Sequence, residues 1–148
     1  MHARPLPTGS DWASDRLRFI ETNIFLYVIT AHPEFGPVAR RILERIDSGE
    51  QAMTSSLATA EVCAWLEYHK RKTEVETFLK AIESYPTLRK SETTYGDEQR
   101  AQELEHAHPR LEFFDRVYLA QMERLKLTEI YSNDRAFDRV KGIKRIFQ

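Results

Sequence analysis

Hydrophobic positions follow two alternating rhythms from Leu17 onward. The runs "LRFIE", "QAMT", "TEIYS" and "IKRIF", with a weaker "TLRKSE", have the length of short buried strands. Between them, apolar residues recur at helical spacing. "TNIFLYVITAH" predicts a helix stopped by Pro33. In "GPVARRILERIDSGE", Val38, Ile42, Leu43 and Ile46 share one face, and Gly49 supplies a stop. "SSLATAEVCAWLEYHKR" predicts a long helix, and "TEVETFLKAIESY" carries Val75, Phe78, Leu79 and Ile82 on one face. "TYGDEQRAQELEHAH" is a polar helix ended by Pro109, "LEFFDRVYLAQMERLKL" a strong helix, and "DRAFDRV" a helical turn. Strands alternating with helices predict an α/β fold with a mostly parallel sheet. In such a sheet, ligands bind beyond the carboxyl ends of the strands. Residues 1–16 are rich in Pro, Gly, Ser and Asp and read as an extended tail before a domain over 17–148.

Composition narrows the class. The 148 residues fit one domain, and 41% hydrophobic residues suffice for a sizeable core. With 22 basic against 23 acidic residues, the chain has no global charge signature of a nucleic-acid binder, although a local basic face remains compatible with it. The single cysteine, Cys63, excludes an internal disulfide and fits a reducing compartment. There is no secretory signal and no membrane-length apolar run, so a soluble, cytoplasmic protein is expected.

Four acids stand in unusual company. Glu21 ends the first strand, and Asp134 follows the strand "TEIYS". Glu61 shares a helix face with Leu57, Ala64, Trp65 and Tyr68; Asp115 shares one with Leu111, Tyr118, Leu119 and Met122. Taken singly, each has an ordinary explanation: a polar strand end, a stripe-edge acid, a helix-dipole partner, an N-cap. Together, two strand ends and two sheet-covering helix faces place all four acids at one end of the sheet. The chain's two asparagines, Asn23 and Asn133, stand beside two of the acids and suit a supporting hydrogen-bond shell. No lysine or arginine recurs at a fixed offset from all four. Hard divalent cations such as Mg²⁺ or Mn²⁺ are therefore the better partners, and they suit phosphodiester hydrolysis. Asp138, one turn after Asp134, is an additional ligand candidate.

The segments "FIETNIFLY", "SSLATAEV", "FFDRVYLAQMERL" and "IYSNDRAFDRV", in this order and spacing, resemble the PIN-domain ribonucleases, and within them the VapC-type toxins of toxin–antitoxin pairs. The resemblance implies a three-layer α/β/α sandwich and RNA cleavage dependent on Mg²⁺ or Mn²⁺. The acids matching the family pattern are Glu21, Glu61, Asp115 and Asp134, with Thr22, Asn23, Ser132 and Asn133 in support. It also implies a homodimer and an antitoxin protein that occupies the groove, with "VARRILERI" and "VETFLKAI" as candidate contact helices. Two departures stand out. The family has Asp where this chain has Glu21, and many members carry a further acid where this chain has Ala136.

For the RNA backbone, the candidate cations are Arg40, Arg41, Lys70, Arg71, Lys72, Arg116 and Arg135. Arg116 and Arg135 directly follow site acids and are placed beside the groove. Trp65 and Tyr68 read as core residues, Tyr68 with a second role stacking on a base. The leading expectation is a metal-dependent endoribonuclease. The alternative is a catalytically weakened PIN-like module that binds RNA or protein. A small-molecule phosphohydrolase would want an Asp nucleophile and a D-x-D pattern at the first strand end, and Glu21 stands there instead.

Overall fold

The computed structural model describes residues 17–148; the expected tail over 1–16 lies outside the described residues. The chain runs β1 (Arg18–Ile20), α1 (Thr22–Ile29), α2 (Gly36–Asp47), β2 (Ala52–Ser55), α3 (Ser56–Tyr68), α4 (Glu74–Ser84), β3 (Leu88–Ser91), α5 (Tyr95–Glu103), α6 (Phe113–Leu125), β4 (Glu129–Tyr131), a 3₁₀ turn (Arg135–Arg139) and β5 (Lys144–Ile146). Each predicted element is present. Two helices end sooner than their sequence stops suggest. α1 closes at Ile29, ahead of a turn in which Ala31 takes a left-handed φ of 48°, and α5 closes at Glu103, well before Pro109. At the end of α2, Gly49 adopts φ +118°, a conformation that favours glycine.

The five strands form one sheet in the order β3-β2-β1-β4-β5, and every pairing is parallel. Both faces are covered. Along β1, Phe19 enters one core with Met53, Tyr118 and Ile130, while Ile20 enters the other with Ile24, Val62 and Tyr131. Burial on both faces explains why the apolar residues of the inner strands stand side by side, Phe19 and Ile20 in β1, Ala52 and Met53 in β2, Ile130 and Tyr131 in β4, while the edge strands β3 and β5 carry one apolar residue each. The result is a three-layer α/β/α sandwich. The apolar faces of α2 (Ile42, Leu43, Ile46) and α4 (Phe78, Ile82) lie in its core. No described helix is long and apolar enough to cross a membrane.

Strand order fixes where a site can form. From β1 the chain proceeds outward to β2 and β3, then returns to place β4 on the other side of β1. The direction of winding therefore reverses between β1 and β4, and connections leaving their carboxyl ends diverge to open a crevice. Glu21 is the first residue after β1, and Ser132 the first after β4.

Candidate active site

Glu21 occupies the N-cap position of α1 but does not cap it with its side chain. Its backbone N–H extends the sheet ladder to the Tyr131 carbonyl at 3.2 Å. The carboxylate, only 4% exposed, is held from two sides. The Asn23 amide donates to Oε1 at 3.1 Å, and the Ser132 hydroxyl donates to Oε2. Ser132 Oγ also accepts the Asp134 N–H at 3.0 Å, so one serine ties the β1 acid to the loop carrying the β4 acid.

Glu61 reaches the same place from α3. The buried stripe of that helix is Ala58, Val62 and Leu66, and Glu61 lies at its margin, half-buried. Its Oε1 accepts the Tyr118 hydroxyl proton from α6 and a longer bond from the Thr22 hydroxyl at 3.4 Å. Thr22 and Tyr118 are themselves 2.9 Å apart. With the Tyr118 proton committed to Glu61, the single Thr22 proton is shared between the Tyr118 oxygen and the more distant Glu61 Oε1. Asp115 stands in the first turn of α6, and Asp134 caps the 3₁₀ turn, accepting the Ala136 N–H at 2.9 Å.

Glu21, Glu61, Asp115 and Asp134 all line one cleft of about 320 Å³, with Thr22, Asn23 and Tyr118 between them. Glu21 and Asp115 feel the neighbouring acids. Burial pushes Glu21 up to about 8, against the pull of Ser132, and repulsion from Asp115, Asp134 and Glu61 adds to the rise. Burial, then the charges of Asp134, Glu61 and Glu112, push Asp115 up to about 7. Burial also raises Glu61, opposed by its bonds from Tyr118 and Thr22. Four oxygen-donor acids that repel one another across a shared cleft match the donor chemistry of a hard divalent cation. The fit is one of donor type and charge: among the described residues, no three His, Cys, Asp or Glu side chains are already gathered at metal-holding spacing. Glu21, Glu61, Asp115 and Asp134 are the residues that would hold such an ion.

Other expected residues lie elsewhere. Asp138 is engaged by Arg145 at 2.9 Å, outside the cleft, and Arg145 also donates to the Ser132 carbonyl at 3.2 Å. Asn133 is half-buried on the β4 loop and does not line the cleft. Arg116, placed by the sequence among groove-flanking cations, is turned inward and 8% exposed. Its guanidinium donates to the Ala101 and Leu111 carbonyls at 3.0 and 2.7 Å, stitching α5 and the preceding loop to α6. Arg135 is exposed on the 3₁₀ turn, and neither it nor Arg40, Arg41, Lys70, Arg71 or Lys72 lines the cleft. Tyr68 is not a core residue but 84% exposed, because the stripe of α3 turns away from it; Trp65 is half-buried and stacks on His69.

Arg110, Glu112, Phe114 and Tyr118 line the cleft without having been singled out from the sequence as site residues. Tyr118 had a signal, since it shares a face with Asp115. Phe114 had a weaker one: it directly precedes Asp115 in the first turn of the helix. Arg110 sits in an irregular loop, where periodicity says nothing.

The shape recurs in solved structures. VapC20 of Mycobacterium tuberculosis, a toxin that cleaves the sarcin–ricin loop, matches with TM-score 0.66 and 21% identity over 80% of this chain and 90% of its own. VapBC2 of Rickettsia felis, solved with a DNA fragment from its promoter, matches with TM-score 0.67 and 18% identity over 88% and 97%. A toxin–antitoxin complex from Klebsiella pneumoniae matches with TM-score 0.63 and 17% identity over 85% and 94%. A search of curated protein sequences finds no match. At these identities the likeness establishes the fold. The family profile for the PIN domain matches residues 18–143, covering four of the five strands and all four cleft acids, and the chain belongs to the PIN domain family.

Proposed function

We propose that this PIN domain is a divalent-metal-dependent endoribonuclease, the toxin of a toxin–antitoxin pair, with Glu21, Glu61, Asp115 and Asp134 as its catalytic carboxylates. The observation that carries the reading is the convergence of those four acids, from β1, α3, α6 and the β4 loop, on one cleft at the sheet's switch point. When bound there, Mg²⁺ or Mn²⁺ supplies Lewis acidity toward a phosphodiester and its attacking water. The chain's own residues fix the acids. Ser132 and Asn23 orient Glu21, and Tyr118 and Thr22 orient Glu61. The toxin–antitoxin setting, and with it an antitoxin protein partner, draws support from the Klebsiella complex and the Rickettsia VapBC2 structure; a homodimer and a cytoplasmic location are part of the same proposal.

Purified protein incubated with labelled RNA, with and without Mn²⁺ or EDTA, tests the reading. Cleavage abolished by EDTA and restored by Mn²⁺ is expected; absent or EDTA-insensitive cleavage overturns it. A second reading rests on Glu21 itself: its carboxylate is buried and both oxygens are hydrogen-bonded, so it is less available than an Asp stopping short of Ser132. On that reading the chain is a weakened PIN module that binds RNA or protein. Cleavage that appears only in Glu21→Asp would favour it.

A further inference from the structure

Phe114 directly precedes Asp115 at the start of α6, stands 47% exposed, and forms part of the wall of the acid cleft. Its neighbour Phe113 has a different setting: it is outside the cleft lining, and the Arg116 guanidinium lies 5.8 Å from the centre of its ring. Arg110, exposed in the loop before α6, is the one cation among the described residues that line the cleft. A large aromatic face and a lone guanidinium thus share a wall that otherwise presents acids, hydroxyls and amides.

We infer that Phe114 is a base-stacking platform that positions the RNA strand, with Arg110 holding a phosphate beside the stacked base. The inference rests on the nuclease reading above and assigns its strand-positioning residues. The cleft supports a nucleobase better than a protein side chain. Outside the cleft the Phe113 ring lies 6.2 Å from that of Phe114, but within the cleft Phe114 is flanked by charged and polar groups, so an aliphatic side chain entering there would find little further apolar surface. A base needs only the ring face, and it brings a phosphate within reach of a nearby cation. The ring also stands one residue from Asp115, so a base stacked there sets which phosphodiester lies opposite the acids. Phe114 is a positioning residue and takes no part in proton or phosphoryl transfer.

The test is binding of a short single-stranded RNA bearing one 2-aminopurine, titrated with the full chain in Ca²⁺ and, in parallel, in EDTA. Stacking on Phe114 quenches the fluorescence. Phe114→Ala and Phe114→Leu are expected to lose the quench and weaken binding roughly 5- to 100-fold, the range for one aromatic–base stack. Phe114→Trp restores both, and Phe113→Ala changes neither. Phe114→Leu keeps the apolar bulk without the ring, so it separates stacking from packing, and thermal melts confirm that each variant is folded. Wild-type quench and affinity in Phe114→Leu overturn the inference while leaving the nuclease reading intact. Failure of the wild-type chain to bind RNA in either buffer overturns both.

Discussion

The Glu21 carboxylate at the end of β1 accepts a hydrogen bond from the Ser132 hydroxyl at the end of β4. This bond spans the point where the sheet's winding reverses, and the Asn23 amide holds the other oxygen. With both oxygens bonded and the side chain buried, Glu21 is held in place. Glu21→Gln keeps the shape of the side chain and removes its charge. Cleavage is expected to fall at least about 100-fold, while the metal-free melting temperature holds near pH 7, where folded Glu21 is already mostly protonated, and rises relative to wild type above pH 8, where the wild type must bury a charge. Single-turnover assays and thermal melts on the same preparation check both halves.

The raised acids make metal-free stability depend on pH. Glu21 titrates near 4.5 when unfolded and near 8 when folded, and Asp115 moves from 3.8 to about 7. Between those limits the folded state binds more protons than the unfolded one. Their contribution is complete below the unfolded values and is lost as pH rises through 7 and 8. Each such group can remove up to about 1.4 kcal/mol per pH unit across its window. Urea midpoints in EDTA should fall from pH 5 to 8, and Glu21→Gln should flatten the fall. Added Mn²⁺ should restore stability most at the high-pH end, where the acids are ionised.

Tyr118 connects the helices that carry Glu61 and Asp115. Removing its hydroxyl in Tyr118→Phe leaves Glu61 and Thr22 short of a partner in a buried place. A loss of about 1–3 kcal/mol in stability is expected, with a roughly 10- to 100-fold loss in cleavage, as for other residues that orient metal-binding groups. The cleavage loss should fall on the rate constant at saturating RNA, with KM little changed.

Arg116 offers a test of fold against function. Arg116→Gln should cost about 1–3 kcal/mol, because the Ala101 and Leu111 carbonyls lose charged donors. The salt dependence of RNA binding should stay unchanged, since this guanidinium does not face the cleft. A shallower salt slope with normal stability would show that it contacts RNA after all.

Asp97 and Arg124 clamp α5 to α6 away from the cleft, with contacts of 2.8 and 2.9 Å, and Asp97 also closes the capping box of α5 with Thr94. Burial alone would raise Asp97, but the bonds from Arg124 and Thr94 prevail and hold it below its usual 3.8. Its contribution is present above that value and is lost as pH falls through the lowered one. Asp97→Ala should lower the urea midpoint at pH 7, with a difference that shrinks in strong acid and little change in cleavage.

The sequence by itself determined the order of strands and helices, because burial on both sheet faces puts apolar residues side by side in the inner strands and burial on one helix face writes a helical period. It also singled out the four acids that the fold brings to one cleft, since a carboxylate at the end of a buried strand or beside an apolar stripe is a visible departure from pattern. Other features were decided by the tertiary structure alone. Arg116 and Arg135 both follow a site acid in sequence, yet one is buried on backbone carbonyls and the other is exposed. Tyr68 shares a nominal face with Glu61 but points into water, because the buried stripe of α3 runs through Ala58, Val62 and Leu66. Asp138 is one turn from Asp134, yet Arg145 from β5 engages it. Periodicity fixes where a side chain stands on its own element. Which element packs opposite it, and whether that neighbour brings a carbonyl, a cation or solvent, is set by contacts between residues far apart in the chain.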